Sequence, residues 1–273
     1  MSESRTLPNF LIIGAARCGT TNFASYLRVQ PEVFLAAKRP EPHYFLKDWE
    51  YEKGLEYYSN RYFATAAGEK AIGEASASYI CHAHVAERIN CDLPGVRLIA
   101  MLRNPLPRAY SGYWHTSRNG FEKLPFLEAL KAEPQRAAEA TELVARTIRT
   151  FAYIERGLYA QQLRNYLKVF PRQRMHVILF DDFVADPRGV TCETMQFLGV
   201  DPAQYIEPSI ADMDVNHSTP GDQRMDDESF AYLRDIYRDE IHDLSDLLGR
   251  DLTFWLDRAT DAAPVYAAAC IAA

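Results

Sequence analysis

Ile13-Gly14-Ala15-Ala16-Arg17-Cys18-Gly19-Thr20-Thr21-Asn22 follows a short apolar run, Phe10–Ile13, and precedes a stretch where Phe23, Tyr26 and Leu27 recur at helical spacing. The reading is a strand, a glycine-bracketed turn and a helix start. A helix N-terminus carries backbone N–H groups with no partner in the helix and a partial positive charge, so such a turn suits a phosphate. Small side chains let the backbone come close to an anion, and Thr20 and Thr21 add hydroxyl donors.

The loop is like a P-loop but departs from it at a decisive position. A nucleotide triphosphate loop needs Lys directly after its second glycine, then Ser or Thr for magnesium. Here Thr20 follows Gly19, and the cation is Arg17. A phosphate cradle with its cation moved points to a different phosphoester.

Composition narrows the class. The 273 residues suffice for one well-buried α/β domain, and 48% hydrophobic with 25% charged residues is ordinary for a globular protein. A net charge of −7 argues against non-specific nucleic-acid binding. An anionic ligand therefore needs a locally positive site built from individual arginines. Cys18, Cys81, Cys91, Cys192 and Cys270 form no metal-like pair and read as reduced thiols. With no secretory signal or membrane-spanning run in the chain as given, the expected location is cytoplasmic, with no membrane partner.

Strands are expected at Phe10–Ile13, Ala71–Glu74, Arg97–Leu102 and Met175–Phe180. The last two are nearly continuous apolar runs, as in parallel strands covered on both faces. Helices are expected between them at Thr20–Arg28, Leu55–Arg61, His84–Ile89, Leu158–Val169 and Cys192–Leu198. This alternation implies a single α/β domain over residues 1–258, with a central parallel sheet flanked by helices. Helix formers over 110–156, including Phe126–Ala132 and Glu139–Ile154, suggest a helical insertion over the ligand edge of the sheet. Met225–Leu248 reads as a long helix with Phe230, Leu233, Ile236, Tyr237, Ile241 and Leu244 on one face and Gly249 as its cap. Residues 259–273 form an alanine-rich tail.

A second anion site is legible at Arg97-Leu98-Ile99-Ala100-Met101-Leu102-Arg103-Asn104-Pro105. Arg103 ends a strand, where open α/β sheets place ligands, and Asn104 and Pro105 suit the N-cap and first position of a helix. Arg108, Ser111 and His115 follow at three- and four-residue spacing. A strand-end Arg with a Ser two turns into the next helix can hold a phosphate by a bidentate fork and a hydroxyl.

With both sites in view, the chain resembles the sulfotransferases that use 3′-phosphoadenosine 5′-phosphosulfate. Their Lys/Arg-x-Gly-Thr-Thr loop is matched by Arg17–Thr21, and their strand-end Arg with a Ser eight residues on by Arg103 and Ser111. The resemblance runs on through Gly157-Leu158-Tyr159 to Gly249-Arg250-Asp251 and Trp255. It implies that Arg17, Cys18, Gly19, Thr20, Thr21 and Asn22 hold the phosphosulfate, and that Arg103 and Ser111 hold the 3′-phosphate. Gly221 and Arg224, in a segment resembling a loop that closes over the nucleotide, are further candidates for that phosphate. The implied product is 3′-phosphoadenosine 5′-phosphate, the acceptor a small-molecule or carbohydrate hydroxyl, and no metal is required.

Sulfuryl transfer needs a base for the acceptor hydroxyl, in-line approach and charge stabilisation on the leaving phosphate, by analogy with phosphoryl transfer. Arg17 suits the last task. Glu41 and His43 lie two apart in a proline-stiffened, extended-looking segment, so both side chains can face one side and either can take a proton. The segment resembles the Glu-x-His-Phe-Phe stretch of the heparan sulfate sulfotransferase branch, where the Glu is the base; that residue is Glu41 here, with His43 orienting it or contacting acceptor. Gly73-Glu74-Ala75-Ser76-Ala77-Ser78-Tyr79 resembles the Glu-Lys-Thr-Pro-x-Tyr stretch, with Ala75 in place of Lys, and makes Glu74, Ser76 and Tyr79 acceptor-site candidates. Arg17 replaces a Lys found in many members, and its high pKa suits charge stabilisation and not proton donation. The rivals are a P-loop kinase, which lacks its Lys and its strand-end Asp here, and a non-catalytic nucleotide-binding protein.

Overall fold

Strand β1, Phe10–Gly14, is buried along its whole length and lies at the centre of the sheet. A computed structural model describes residues 5–36, 41–140, 150–213 and 224–258. Its sheet has the order β2-β3-β1-β4-β5, with β2 Val33–Leu35, β3 Ala71–Ala75, β4 Arg97–Leu102 and β5 Met175–Leu179, and every pairing is parallel. The chain leaves β1 toward β2 and leaves β4 toward β5. The neighbouring carboxyl ends of β1 and β4 are therefore the switch point, the place where doubly wound sheets bind ligands. There the register shifts between Ile12 and Gly14, and the Ala15 N–H donates to the Met101 carbonyl at 2.8 Å.

The chain forms two compact units. One, Met1–Leu102 with Asn165–Asn216, contains this sheet and its flanking helices, among them Thr20–Arg28, Gly54–Tyr62, Ala83–Asp92 and Pro187–Leu198. The other, Arg103–Arg164 with His217–Ala273, contains helices Pro105–Arg118, Phe126–Glu139 and Asp227–Leu248. In the second unit the Asn104 side chain accepts from the Leu106 N–H at 3.0 Å and donates to the Trp255 carbonyl at 2.9 Å, with Pro105 opening the helix as expected. Asp226 caps the long helix by accepting from the Ser229 N–H at 2.7 Å, so that helix starts at Asp227 and not at Met225.

Other differences have local causes. β2 has no counterpart among the strands expected from sequence, because three residues carry too little periodicity to read. β5 stops at Leu179 because Phe180 begins a helix to Ala185, whose first turn holds Asp181 and Asp182 at the favourable end of its dipole. The helix from Phe126 runs past Pro134 to Glu139. The helix expected over Glu139–Ile154 lies mostly outside the described residues, and 150–154 are not helical. Ile236 is 36% exposed and stands off the buried face formed by Leu233, Tyr237, Ile241 and Leu244.

Candidate active site

The turn after β1 has the form expected of an anion seat. Arg17 and Gly19 both take left-handed backbone, with φ of 71° and 84°. Gly19 is the N-cap of helix Thr20–Arg28, and among the described residues no side-chain cap hydrogen bond is made at that end. The first helical bond runs from the Phe23 N–H to the Gly19 carbonyl at 3.0 Å. The N–H groups of Thr20, Thr21 and Asn22 thus form the helix's donor end. Cys18 is fully buried behind the turn, while Arg17 and Thr21 are partly exposed.

Gly14 shows what lies against this turn. A Cβ there would sit 2.4 Å from Ile80 Cγ2 and 3.2 Å from the Ala77 carbonyl oxygen. The Ala77 N–H in turn donates to Glu41 Oε2 at 3.2 Å. The same carboxylate oxygen lies 3.2 Å from His43 Nε2. The Glu41 side chain is 39% exposed and that of His43 only 9%, so solvent or an acceptor reaches the carboxylate more readily than the ring. The two side chains meet, but not through an extended backbone. His43 is left-handed, with φ of 49°, and a turn follows over Tyr44–Leu46. The expectation of an extended segment is corrected: the His43 N–H is held by Ser76 Oγ at 2.9 Å and the Phe45 N–H by the Tyr79 hydroxyl at 3.2 Å.

Glu74, Ser76 and Tyr79 are all fully buried beneath this segment. Tyr58, which no sequence motif singles out, donates its hydroxyl to Glu74 Oε1 at 3.2 Å. Burial pushes the Glu74 carboxyl up to about 7, against the opposing pull of the Ser76, Tyr79 and Tyr58 hydroxyls; the Glu41 charge raises it further. Among the described residues Glu74 Oε2 has no hydrogen-bond partner.

In the other unit Arg103 follows β4 in the chain and is partly exposed, and Ser111 is buried. Arg108 turns inward, donating to the Tyr153 carbonyl, whereas His115 is exposed; the expected common face of Arg108, Ser111 and His115 is divided between interior and surface. Arg224 is exposed, and its carbonyl accepts from the Tyr110 hydroxyl at 3.4 Å. Gly221 lies outside the described residues.

Comparison with known proteins places this geometry in a family. The family model for the sulfotransferase domain matches residues 7–219. Human heparan sulfate glucosamine 3-O-sulfotransferase 6 is 32% identical over 196 residues, covering 72% of this chain and 53% of that protein. Human heparan sulfate glucosamine 3-O-sulfotransferase 3B1 is 30% identical over 199 residues, covering 73% of this chain and 48% of that protein. The chain thus spans about half the length of these curated relatives. The crystal structure of a sulfotransferase from Alicyclobacillus acidocaldarius superposes with a TM-score of 0.75 at 31% identity, covering 92% of this chain and 100% of that one. By motif, by sheet and by these matches, the chain belongs to the sulfotransferase family of enzymes.

Proposed function

We propose that this protein transfers a sulfuryl group from 3′-phosphoadenosine 5′-phosphosulfate to a hydroxyl of a carbohydrate or small-molecule acceptor, with Glu41 as general base. The observation that carries this reading is the link from the anion turn to the carboxylate. Gly14, where the turn begins, packs against Ala77, and the Ala77 N–H fixes Glu41. A base and an anion seat joined through one residue are what in-line transfer needs.

The turn fits the donor's phosphosulfate. Its helix end has backbone N–H donors and, among the described residues, no side-chain cap hydrogen bond, and its left-handed Arg17 supplies a cation. Arg17 and the N–H groups of Gly19–Thr21 stabilise charge on the departing phosphate. Glu41 takes the acceptor's proton as its oxygen bonds to sulfur and the sulfur–phosphate oxygen bond breaks. His43, buried against the carboxylate, orients it. Arg103 and Ser111, with Arg224 and Gly221, are assigned to the 3′-phosphate. The donor supplies the activated sulfuryl group, and no metal takes part in these steps. The heparan sulfate names of the relatives favour a glycan among the possible acceptors.

Calorimetric titration with 3′-phosphoadenosine 5′-phosphate tests the donor assignment. Binding without magnesium, and tighter than that of adenosine 5′-phosphate, is expected. Binding only of ATP with magnesium would overturn it in favour of a kinase.

A further inference from the structure

We infer that Ser76 and Tyr79 are positioning residues that hold the backbone of the Glu41–Phe45 segment and so keep the Glu41 carboxylate on the Ala77 N–H. This rests on the reading of Glu41 as the base. Both side chains are wholly buried. Each hydroxyl oxygen accepts from a backbone N–H of that segment, Ser76 from His43 at 2.9 Å and Tyr79 from Phe45 at 3.2 Å.

A short turn meets a short segment at three points. The Tyr79 N–H closes the turn onto the Ser76 carbonyl at 3.0 Å. Along it Ser76 holds His43, Ala77 holds Glu41 through the 3.2 Å bond to Oε2, and Tyr79 holds Phe45. The turn is itself anchored. The Ser76 N–H donates to the Ile12 carbonyl of β1 at 3.0 Å, and the Tyr166 hydroxyl donates to the Tyr79 carbonyl at 2.8 Å. The base is thereby located against the strand that carries the anion turn.

His43 shows why the bracket is needed. Its φ of 49° is left-handed, a conformation strained for an L-residue with a side chain and kept only where its surroundings over-determine it. His43 and Phe45 are both buried, and a buried N–H that loses its acceptor is costly. Removing either hydroxyl gives the segment two reasons to move: release of the strained backbone, and recovery of a hydrogen bond elsewhere. Either movement carries Glu41, two residues from His43, away from the Ala77 N–H. Phe45 keeps a second hold, because Arg88 donates to its carbonyl at 3.1 Å. Losing the Ser76 hydroxyl should therefore matter more than losing that of Tyr79.

The test compares Ser76→Ala and Tyr79→Phe in the intact chain, each alone and combined with Glu41→Gln. Each removes one oxygen and keeps the rest of the side chain. Turnover is followed with 35S-labelled donor and O-desulfated heparan sulfate, or whichever acceptor in a panel of alcohols, phenols and sugars takes label. Affinity at the donor site is read by titration with 3′-phosphoadenosine 5′-phosphate. Ser76→Ala is expected to lower kcat by up to about a hundredfold, the scale of a small misplacement, and Tyr79→Phe by less. Nucleotide affinity and the KM for acceptor should be unchanged, and no further loss should appear in the Glu41→Gln background. Full kcat in the folded variants would overturn the inference, as would an equal loss in both backgrounds. A raised acceptor KM with kcat intact would also overturn it, by making the two hydroxyls acceptor contacts. If one variant does not fold, the other decides the matter. Wild-type turnover in Glu41→Gln alone would remove the base reading itself, and this inference with it.

Discussion

His43 Nε2 and the Ala77 N–H converge on one oxygen of Glu41, each at 3.2 Å. Both contacts fall on one oxygen, while part of the Glu41 side chain stays open to solvent. Glu41→Gln keeps the shape and removes the base, so kcat should fall by about a thousandfold with nucleotide affinity intact. Steady-state kinetics with a calorimetric control checks this. His43→Ala should cost less, because it removes orientation and leaves the base.

Arg17 combines a cation with strained left-handed backbone. Arg17→Gly removes the charge and relieves the strain together, so activity and stability should move in opposite directions. The barrier should rise by about 3 kcal/mol, as for loss of one preorganised donor. The melting temperature should hold or rise. A drop in both would mean that Arg17 is chiefly a structural residue.

Arg103 and Ser111 are assigned to the ribose phosphate alone. Arg103→Ala should weaken binding of 3′-phosphoadenosine 5′-phosphate strongly and that of adenosine 5′-phosphate little, and Ser111→Ala should do the same more mildly. Titrating both nucleotides against each variant makes the comparison. Equal losses for the two ligands would refute the assignment.

Gly14→Ala should disturb the join between the anion turn and the base. Its Cβ would press on Ile80 and the Ala77 carbonyl, and such overpacking costs about 1–3 kcal/mol. Because Ala77 holds Glu41, kcat should fall beyond what a surface change of equal stability cost produces. Paired melting and kinetic measurements on the two variants separate the effects.

Stability should depend on pH with a definite sign. Burial pushes Glu74 and Glu133 up to about 7 from an ordinary value of 4.5. For Glu133 the opposing N–H donors of Ile154 and Glu155, at 2.7 and 2.9 Å, do not offset that burial. Between those pH values the folded chain keeps protons that the unfolded chain has released, so stability falls as pH rises from 4.5 to about 7. Glu122 works oppositely. Burial opposes its ionisation, but Arg136, the Leu124 N–H and Tyr153 prevail and hold it at about 2, so its contribution is lost as pH falls below 4.5. Melting temperatures across this range should show the decline above pH 4.5, and Glu133→Gln should flatten part of it.

Much of the fold was legible because its signals are local. Apolar runs marked β1 and β4, the helix Thr20–Arg28 was read to the residue, and Asn104 and Pro105 announced the helix they begin. What escaped depends on distant parts of the chain. The left-handed turn at His43 is held by Ser76 and Tyr79, 33 and 34 residues from their bonding partners. Local chemistry suggested an extended segment there, because the prolines around Glu41 are visible and the hydroxyls beneath it are not. Glu74 and Tyr79 read in the sequence as acceptor-site candidates, and their burial was not legible, since the strand and turn that carry them read the same whether a ligand or the protein covers them. Tyr58 looks in sequence like any aromatic residue on an amphipathic helix, and only the folded chain brings it to Glu74.

The most direct test of the account is transfer of 35S from labelled 3′-phosphoadenosine 5′-phosphosulfate to hydroxyl acceptors, without ATP or magnesium, by the wild-type chain and by Glu41→Gln. The account predicts labelled acceptor with the wild type, and almost none with a variant that still binds the desulfated nucleotide. Label passing to no alcohol, phenol or sugar, or passing equally with both proteins, would contradict it.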